Sequence, residues 1–305
     1  MTVGLLVLPI ILAITVGYLA KRSGAVPSEN WPGVEQLSFK VLIPAIIIQS
    51  IYQSDLALSR LGNFIWALLI AVSIAGFLVL AARFAIPRAA LGNPQLTTIF
   101  QATTRWNAFI ALALSSQALG QPGLALISIA MAFIIPFVNV INIVILAAYG
   151  NTPINARKIA QNIVTNPLVL ACAIGLFLNF SGISLPSSAE STVKTISQAA
   201  IGIGLLAIGA SIDFRKLIAL SWPLAFGTVA RLVVSPAIFW LIGQAFGLDN
   251  TQMLCGMLIC AVPAASNGYI VAKQMGGDAD LYAHLLMWQT VLAIFTLPIA
   301  IVLAS

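Results

Sequence analysis

Ala261-Val-Pro-Ala-Ala-Ser-Asn-Gly-Tyr-Ile-Val-Ala-Lys273 lies in the middle of a long apolar run, yet it carries residues that a membrane helix usually avoids. Pro263 lacks an N–H and clashes with the preceding turn, Gly268 loosens the backbone, and Ser266 and Asn267 are polar. In hydrocarbon every freed backbone group needs a partner, so such a break survives only where protein or a water-filled cavity surrounds it. The first half of the chain has a similar site at Thr103-Thr-Arg-Trp-Asn107, again polar and again in mid-run. Interrupted segments in corresponding halves point to the binding site of a secondary transporter.

Composition sets the class. Of 305 residues, 60% are hydrophobic and 7% charged, with a mean hydropathy of +1.04, too little charge to cover the surface of a soluble domain. The net charge of +6 is scattered in ones and twos, which fits cytoplasmic loops obeying the positive-inside rule and not a nucleic-acid surface. Cys172, Cys255 and Cys260 all sit inside apolar runs and read as small buried hydrophobes, not as a disulfide framework or a zinc site. Thr2 to Ala20 has no basic n-region and no cleavage site, so it reads as a first span.

With ~20 apolar residues per span as the ruler, ten spans are expected, near 3–20, 36–53, 63–86, 95–119, 123–149, 159–180, 193–212, 217–246, 251–275 and 281–304. The linker between halves is expected at Tyr149-Gly-Asn-Thr-Pro-Ile-Asn-Ala-Arg-Lys158. Ten loop cations then fall on one side (Lys21, Arg22, Lys40, Arg83, Arg88, Arg157, Lys158, Arg215, Lys216, Lys273) and two on the other (Arg60, Lys194). That bias places the first set in the cytoplasm and both termini outside. At an offset of 158, Pro9 falls on Pro167, Gly17 on Gly175, Ser23-Gly24 on Ser181-Gly182 and Asp55 on Asp213. Five spans per half is an odd number, so the halves, 1–150 and 151–305, are expected to be inserted upside down relative to each other.

Spans four and nine correspond in this repeat. If both unwind and cross, half-helix N-termini present free N–H groups that favour a carboxylate, and Asn107 and Asn267 become natural side-chain ligands, with Ser266 beside them. The competing account has these asparagines merely joining helices. Arg105 costs ~2.5–3.5 kcal/mol at the bilayer centre on insertion scales, so it must contact either an anionic substrate or carbonyls that it clamps. Arg231, with Pro236 a turn later, makes the same demand, and no acidic residue lies at comparable depth, which favours an anionic cargo. Asn139 and Asn142 after Pro136, and Asn166-Pro167, read as packing and kinking residues. Gly202, Gly204 and Gly209 read as close helix packing, and His284 as a solvated residue near the end of the last span.

Arg105-Trp-Asn-Ala-Phe-Ile110, Leu119-Gly-Gln-Pro-Gly-Leu124 and Ile135-Pro-Phe-Val-Asn-Val140 resemble the bacterial branch of the auxin efflux carrier family, within the bile/arsenite/riboflavin-type transporter superfamily. Pro263, Asn267 and Tyr269, Leu205-Leu-Ala-Ile-Gly-Ala210, and Arg231 with Pro236 fit as well, so the likeness covers essentially the whole chain. The resemblance implies ten spans as two inverted five-helix repeats, a scaffold and a transport unit each drawn from both halves, and crossover helices four and nine. It also implies elevator-like movement of small organic anions, auxin in plant members and malonate-like dicarboxylates in bacterial ones, with the carboxylate near Asn107 and Asn267. Span four lacks the proline of the plant pattern and the long central loop is missing, which points to a prokaryotic inner-membrane protein.

The expectation is therefore an all-α polytopic membrane protein with broken, crossing helices four and nine. It would carry a small organic anion, bound by Asn107, Asn267, Arg105 and Ser266. Pro263 and Gly268 would make the break, and Arg231 and Asn139 would support it. No cofactor, metal, enzymatic activity or nucleic acid is expected; the partners are the cargo and the bilayer, with a homodimer allowed. Alternatives are a sodium-coupled symporter of bile-acid type or an anion channel.

Overall fold

A computed structural model describes residues 3–54, 58–150, 157, 160–161, 164–217 and 220–304, and every regular element among them is helical. Asp55, residues 151–156 of the expected linker and Lys158 lie outside the described residues. In chain order the helices are α1 (Val3–Arg22), α2 (Trp31–Leu37), α3 (Ile43–Tyr52), α4 (Leu58–Ala85), α5 (Asn93–Thr104), α6 (Ala108–Leu119) and α7 (Gln121–Gly150). They continue as α8 (Pro167–Ser181), α9 (Ser187–Ser211), α10 (Trp222–Val229), α11 (Ser235–Ala245), α12 (Asn250–Ala261), α13 (Gly268–Gln274) and α14 (Ala279–Ala304). Among the described residues six helical stretches are long and apolar enough to cross a membrane, and α8 and α12 are shorter apolar helices. Leu12, Phe77, Leu241, Phe295 and Val302 are exposed, an apolar exterior suited to lipid.

Two expected boundaries shift for reasons of proline chemistry. The second span starts at Ser28, not near 36, because Pro32 sits in the first turn of α2, where its missing N–H costs nothing. Asn166-Pro167 opens a helix and does not kink one: the Asn166 side chain accepts from Leu168 N at 2.9 Å and Pro167 is the first helical residue. Ahead of two prolines inside spans the helix widens. Ser38–Leu42 ahead of Pro44, and Ala230–Val234 ahead of Pro236, are π-helical, with Ile43 N donating to Ser38 O and Ser235 N to Ala230 O. The wider turn absorbs the hydrogen bond that each proline cannot make.

The chain folds into two compact units, each drawn from both halves: Met1–Ala57 with Phe109–Phe133 and Arg157–Ile212, and Leu58–Ala108 with Ile134–Ala156 and Asp213–Ser305. In the first unit α1 packs on α9 so closely that a Cβ on Gly17 would strike the Leu206 backbone, and one on Gly209 the backbone of Ile14 and Tyr18. Lys21 Nζ donates to Ala210 O at 2.8 Å at the same seam. Asn179 caps the end of α3 by donating to Ile51, Tyr52 and Ser54 carbonyls. Gly204 lies against the Phe109 ring, whereas Gly202 faces open space, so close packing accounts for two of the three expected glycines. The three cysteines are free and buried.

In the second unit the core joins Leu96, Ile99 and Phe100 of α5 to Leu224 of α10, Ala264 and Ala272, and Leu281, Tyr282 and Leu285 of α14. Helix α11 packs on α4 and α12, with the Phe239 ring against Gly256.

Local structure repeats between the halves. Ser23-Gly24 and Ser181-Gly182 share a positive glycine φ (76° and 65°) and matching serine bonds, to Ala20 O and Leu178 O at 3.3 Å. Helices α5 and α12 are each 12 residues, and each closes its start with a glutamine, Gln95 or Gln252, accepting from the backbone of Gly92 or Asp249 at 3.2 Å.

Gly209→Val should lower the melting temperature of the purified protein, a loss of about 1–3 kcal/mol from overpacking. Gly202→Ala should leave it unchanged or raise it, since the added methyl meets nothing.

Candidate functional site

Both marked stretches are broken. Helix α5 ends at Thr104, residues 105–107 are not helical, and α6 starts at Ala108; α12 ends at Ala261, residues 262–267 are not helical, and α13 starts at Gly268. The first residue past each arm is extended, Arg105 at φ −78°, ψ 148° and Val262 at φ −68°, ψ 154°. The breaks meet: Asn107 N donates to Pro263 O at 2.8 Å. From the preceding arms the repeat offset is 157, but the second break is longer, six residues against three. Asn107 and Asn267 therefore correspond by another count, each immediately preceding the next helix.

Several backbone groups released by the breaks can be followed to their partners. In an unbroken helix Pro263 would donate to Ile259 O, and Asn107 N to Thr103 O. Proline has no N–H, and Asn107 N is spent on Pro263 O. Arg231 supplies both missing donors: Nη2 reaches Ile259 O at 2.7 Å and Nη1 reaches Thr103 O at 2.9 Å. Its Nε donates to Val262 O at 2.7 Å, so all three guanidinium nitrogens bind carbonyls at the ends of α5 and α12. The side chain is 1% exposed. Two helix C-termini, each worth about half a negative charge, oppose its positive one.

Helix α14 holds the rest of the second break. Ala264 N donates to Gln289 Oε1 at 2.9 Å, Gln289 Nε2 to Gly227 O at 3.3 Å, and the Tyr282 hydroxyl to Ala265 O at 2.7 Å. A Cβ on Gly268 would run into the Tyr282 hydroxyl and ring. Gly268 is therefore required for close approach to Tyr282.

Arg105 differs from Arg231. Its Nε donates to Gln101 Oε1 at 3.3 Å and its Nη1 to Asn139 Oδ1 at 2.9 Å, while Nη2 carries no hydrogen bond to a described residue. Asn142, fully buried, donates to Thr104 Oγ1 and to Val138 O, tying α7 to the end of α5. The balance for the buried cations thus comes from carbonyl and amide oxygens, and cation burial alone does not demand an anionic cargo. Around Arg105 the buried atoms Gln101 Nε2, Thr103 Oγ1 and Asn142 Oδ1 have no partner among the described residues. Asn267 is exposed and its side chain makes no cap to α13; Ser266 is half-buried. His284 turns Nδ1 to Asp280 O on its own helix.

Gln101, Tyr282 and Gln289 escaped the sequence analysis. A fully buried glutamine in mid-span, such as Gln289, gives the same signal as a buried arginine, a polar group with no water to satisfy it. Gln289→Leu should destabilise by about 1–3 kcal/mol, read by thermal melting, because Ala264 N is left unpaired. Gly268→Ala should also lower the melting temperature, and a Tyr282→Leu background should relieve part of that loss.

A family described as membrane transport protein matches residues 151–301. A Rhizobium meliloti (strain 1021) protein, named as a candidate malonate transporter, is 24% identical over 95% of this chain and 92% of its own. A human sodium-dependent organic anion transporter is 24% identical over 40% of this chain and 33% of its own. A rice (Oryza sativa subsp. japonica) protein, named as a candidate auxin efflux carrier component 5a, is 26% identical over 41% of this chain and 36% of its own. Residues 151–301 thus carry the membrane transport protein family's match, and with its apolar helices and these relatives the chain is a multi-pass membrane protein similar to the auxin efflux carriers.

Proposed function

We propose that this protein is a secondary carrier for a small organic anion, a short dicarboxylate such as malonate or an auxin-like acid, working by alternating access across a cytoplasmic membrane. The observation that carries this reading is the uncommitted Nη2 of Arg105, two residues from the junction where Asn107 meets Pro263. A donor left over at mid-span needs a ligand or water. Asn267, exposed at the second break with its amide making no cap to α13, and Ser266 would complete the carboxylate site. The name of the Rhizobium relative, matched along nearly its whole length, supports a dicarboxylate.

In this reading the unit holding both breaks is the moving element of an elevator, and the unit built on α1, α3, α8 and α9 is the scaffold. The two halves are inverted five-span repeats, and both termini face outward. Among the described residues no carboxylate accepts from either arginine to exchange a proton, so the membrane potential, worth ~2.3 kcal/mol per charge per 100 mV, is the simplest drive. The human relative's name favours a second reading, sodium-coupled symport.

Protein reconstituted in vesicles should show saturable malonate uptake, accelerated by malonate on the opposite side; a channel would show neither property. Asn267→Ala, Asn107→Ala and Arg105→Gln should each raise KM about tenfold to a hundredfold, the loss of a hydrogen bond to a charged group at about 1.5–3 kcal/mol. Unchanged affinity in all three would remove the site assignment.

A further inference from the structure

Carbonyl oxygens released by broken helices, backed by the negative ends of helix dipoles, are the ligands with which ion-coupled carriers hold a sodium ion at mid-membrane. Three such oxygens converge in this protein. Thr103 O comes from the end of α5, and Ile259 O and Val262 O from the end of α12; each is taken by a nitrogen of Arg231 at 2.7–2.9 Å. We infer that Arg231 is a tethered cation in the place of a coupling ion, so that the protein stabilises its crossing and moves its cargo without sodium. The inference rests on the carrier reading above and decides against sodium symport.

The geometry supports it in three ways. The charge is matched, since two helix C-termini at about half a negative charge each balance one monovalent cation and no more. The position is fixed by the fold: Arg231 lies in the π-helical turn Ala230–Val234 that Pro236 forces, and its side chain is 1% exposed. Each nitrogen of Arg231 is already engaged by a carbonyl, whereas Arg105 keeps Nη2 without a bond to a described residue. The two buried arginines therefore divide the work, one replacing an ion and the other facing the anion. A sodium ion brought to the same carbonyls would meet a like charge already bonded to them.

The test needs no cargo. Purified wild-type protein is melted in sodium, potassium and choline chloride at equal ionic strength, and Arg231→Ala is melted with added millimolar guanidinium, with urea as the neutral control of similar shape. The expected result is one wild-type melting temperature in all three salts, with a lowered one in Arg231→Ala that guanidinium raises and urea does not. A sodium-specific rise in the wild type, or recovery no better with guanidinium than with urea, would overturn the inference. Should Arg231→Ala fail to fold, Arg231→Lys decides: stability indifferent to sodium supports a tethered cation, and stabilisation by sodium refutes it. Malonate counterflow with choline replacing sodium on both sides separates the two readings. Flux unchanged by the replacement supports both, and flux that requires sodium overturns the tethered cation while the carrier stands. Guanidinium recovery without any malonate flux supports the tethered cation on its own.

Discussion

Arg231 donates from every nitrogen of its guanidinium to a carbonyl that a broken helix has released. The rest of the second unit depends on that clamp, because a helix opened inside an apolar layer exposes groups that each cost several kcal/mol if left bare. The arginine settles the debt of two breaks at once. It replaces the N–H that Pro263 lacks and the one that Asn107 has diverted. Asn107 N on Pro263 O, Gln289 on Ala264 N and Tyr282 on Ala265 O then complete the circuit. Backbone that would have been paired within one helix is paired between segments, so the breaks are held open by tertiary contacts and not by local weakness.

The same circuit explains why buried charge is tolerated. Arg231 faces helix C-termini and Arg105 faces two side-chain amide oxygens, and no carboxylate accepts from either among the described residues. Neutral oxygens are cheaper to bury than a carboxylate, and they leave the surroundings of Arg105 net positive. In the proposed carrier, an anion entering there would add the missing charge without displacing an existing ion pair. Partnerless atoms on Gln101, Thr103 and Asn142 crowd the same turn of the fold, where water or cargo has groups to meet.

The halves repeat in their ends more than in their middles. The Ser-Gly turns after α1 and α8 and the glutamine-closed starts of α5 and α12 share geometry to a tenth of an ångström in their bonds. The breaks themselves differ, three residues against six, with proline on one side only. That asymmetry gives one arginine two unequal sets of carbonyls to bridge, and leaves Asn107 buried while Asn267 is exposed. A single sequence offset of 158 describes the turns but not the site, because the extra residues of the second break shift the register.

Composition and apolar run length determined the helical, membrane-embedded class, and Pro263 with Ser266 and Asn267 marked the second break, because a prolyl ring forbids the hydrogen bond wherever it sits. The Ser-Gly pairs marked two like turns, since few other residues adopt a positive φ cheaply. Span four has no proline, and nothing within Thr103–Asn107 obliges it to open. Its break exists because Pro263 O offers Asn107 N an acceptor and Arg231 offers Thr103 O a donor, and these lie 156 and 128 residues away in the chain. Which arginine would be clamp and which would keep a free nitrogen, and why Gly268 must lack a side chain, were likewise decided by neighbours distant in sequence. Local chemistry fixes where a helix is able to break; only the packed structure supplies the partners that make the break cost less than the continuous helix.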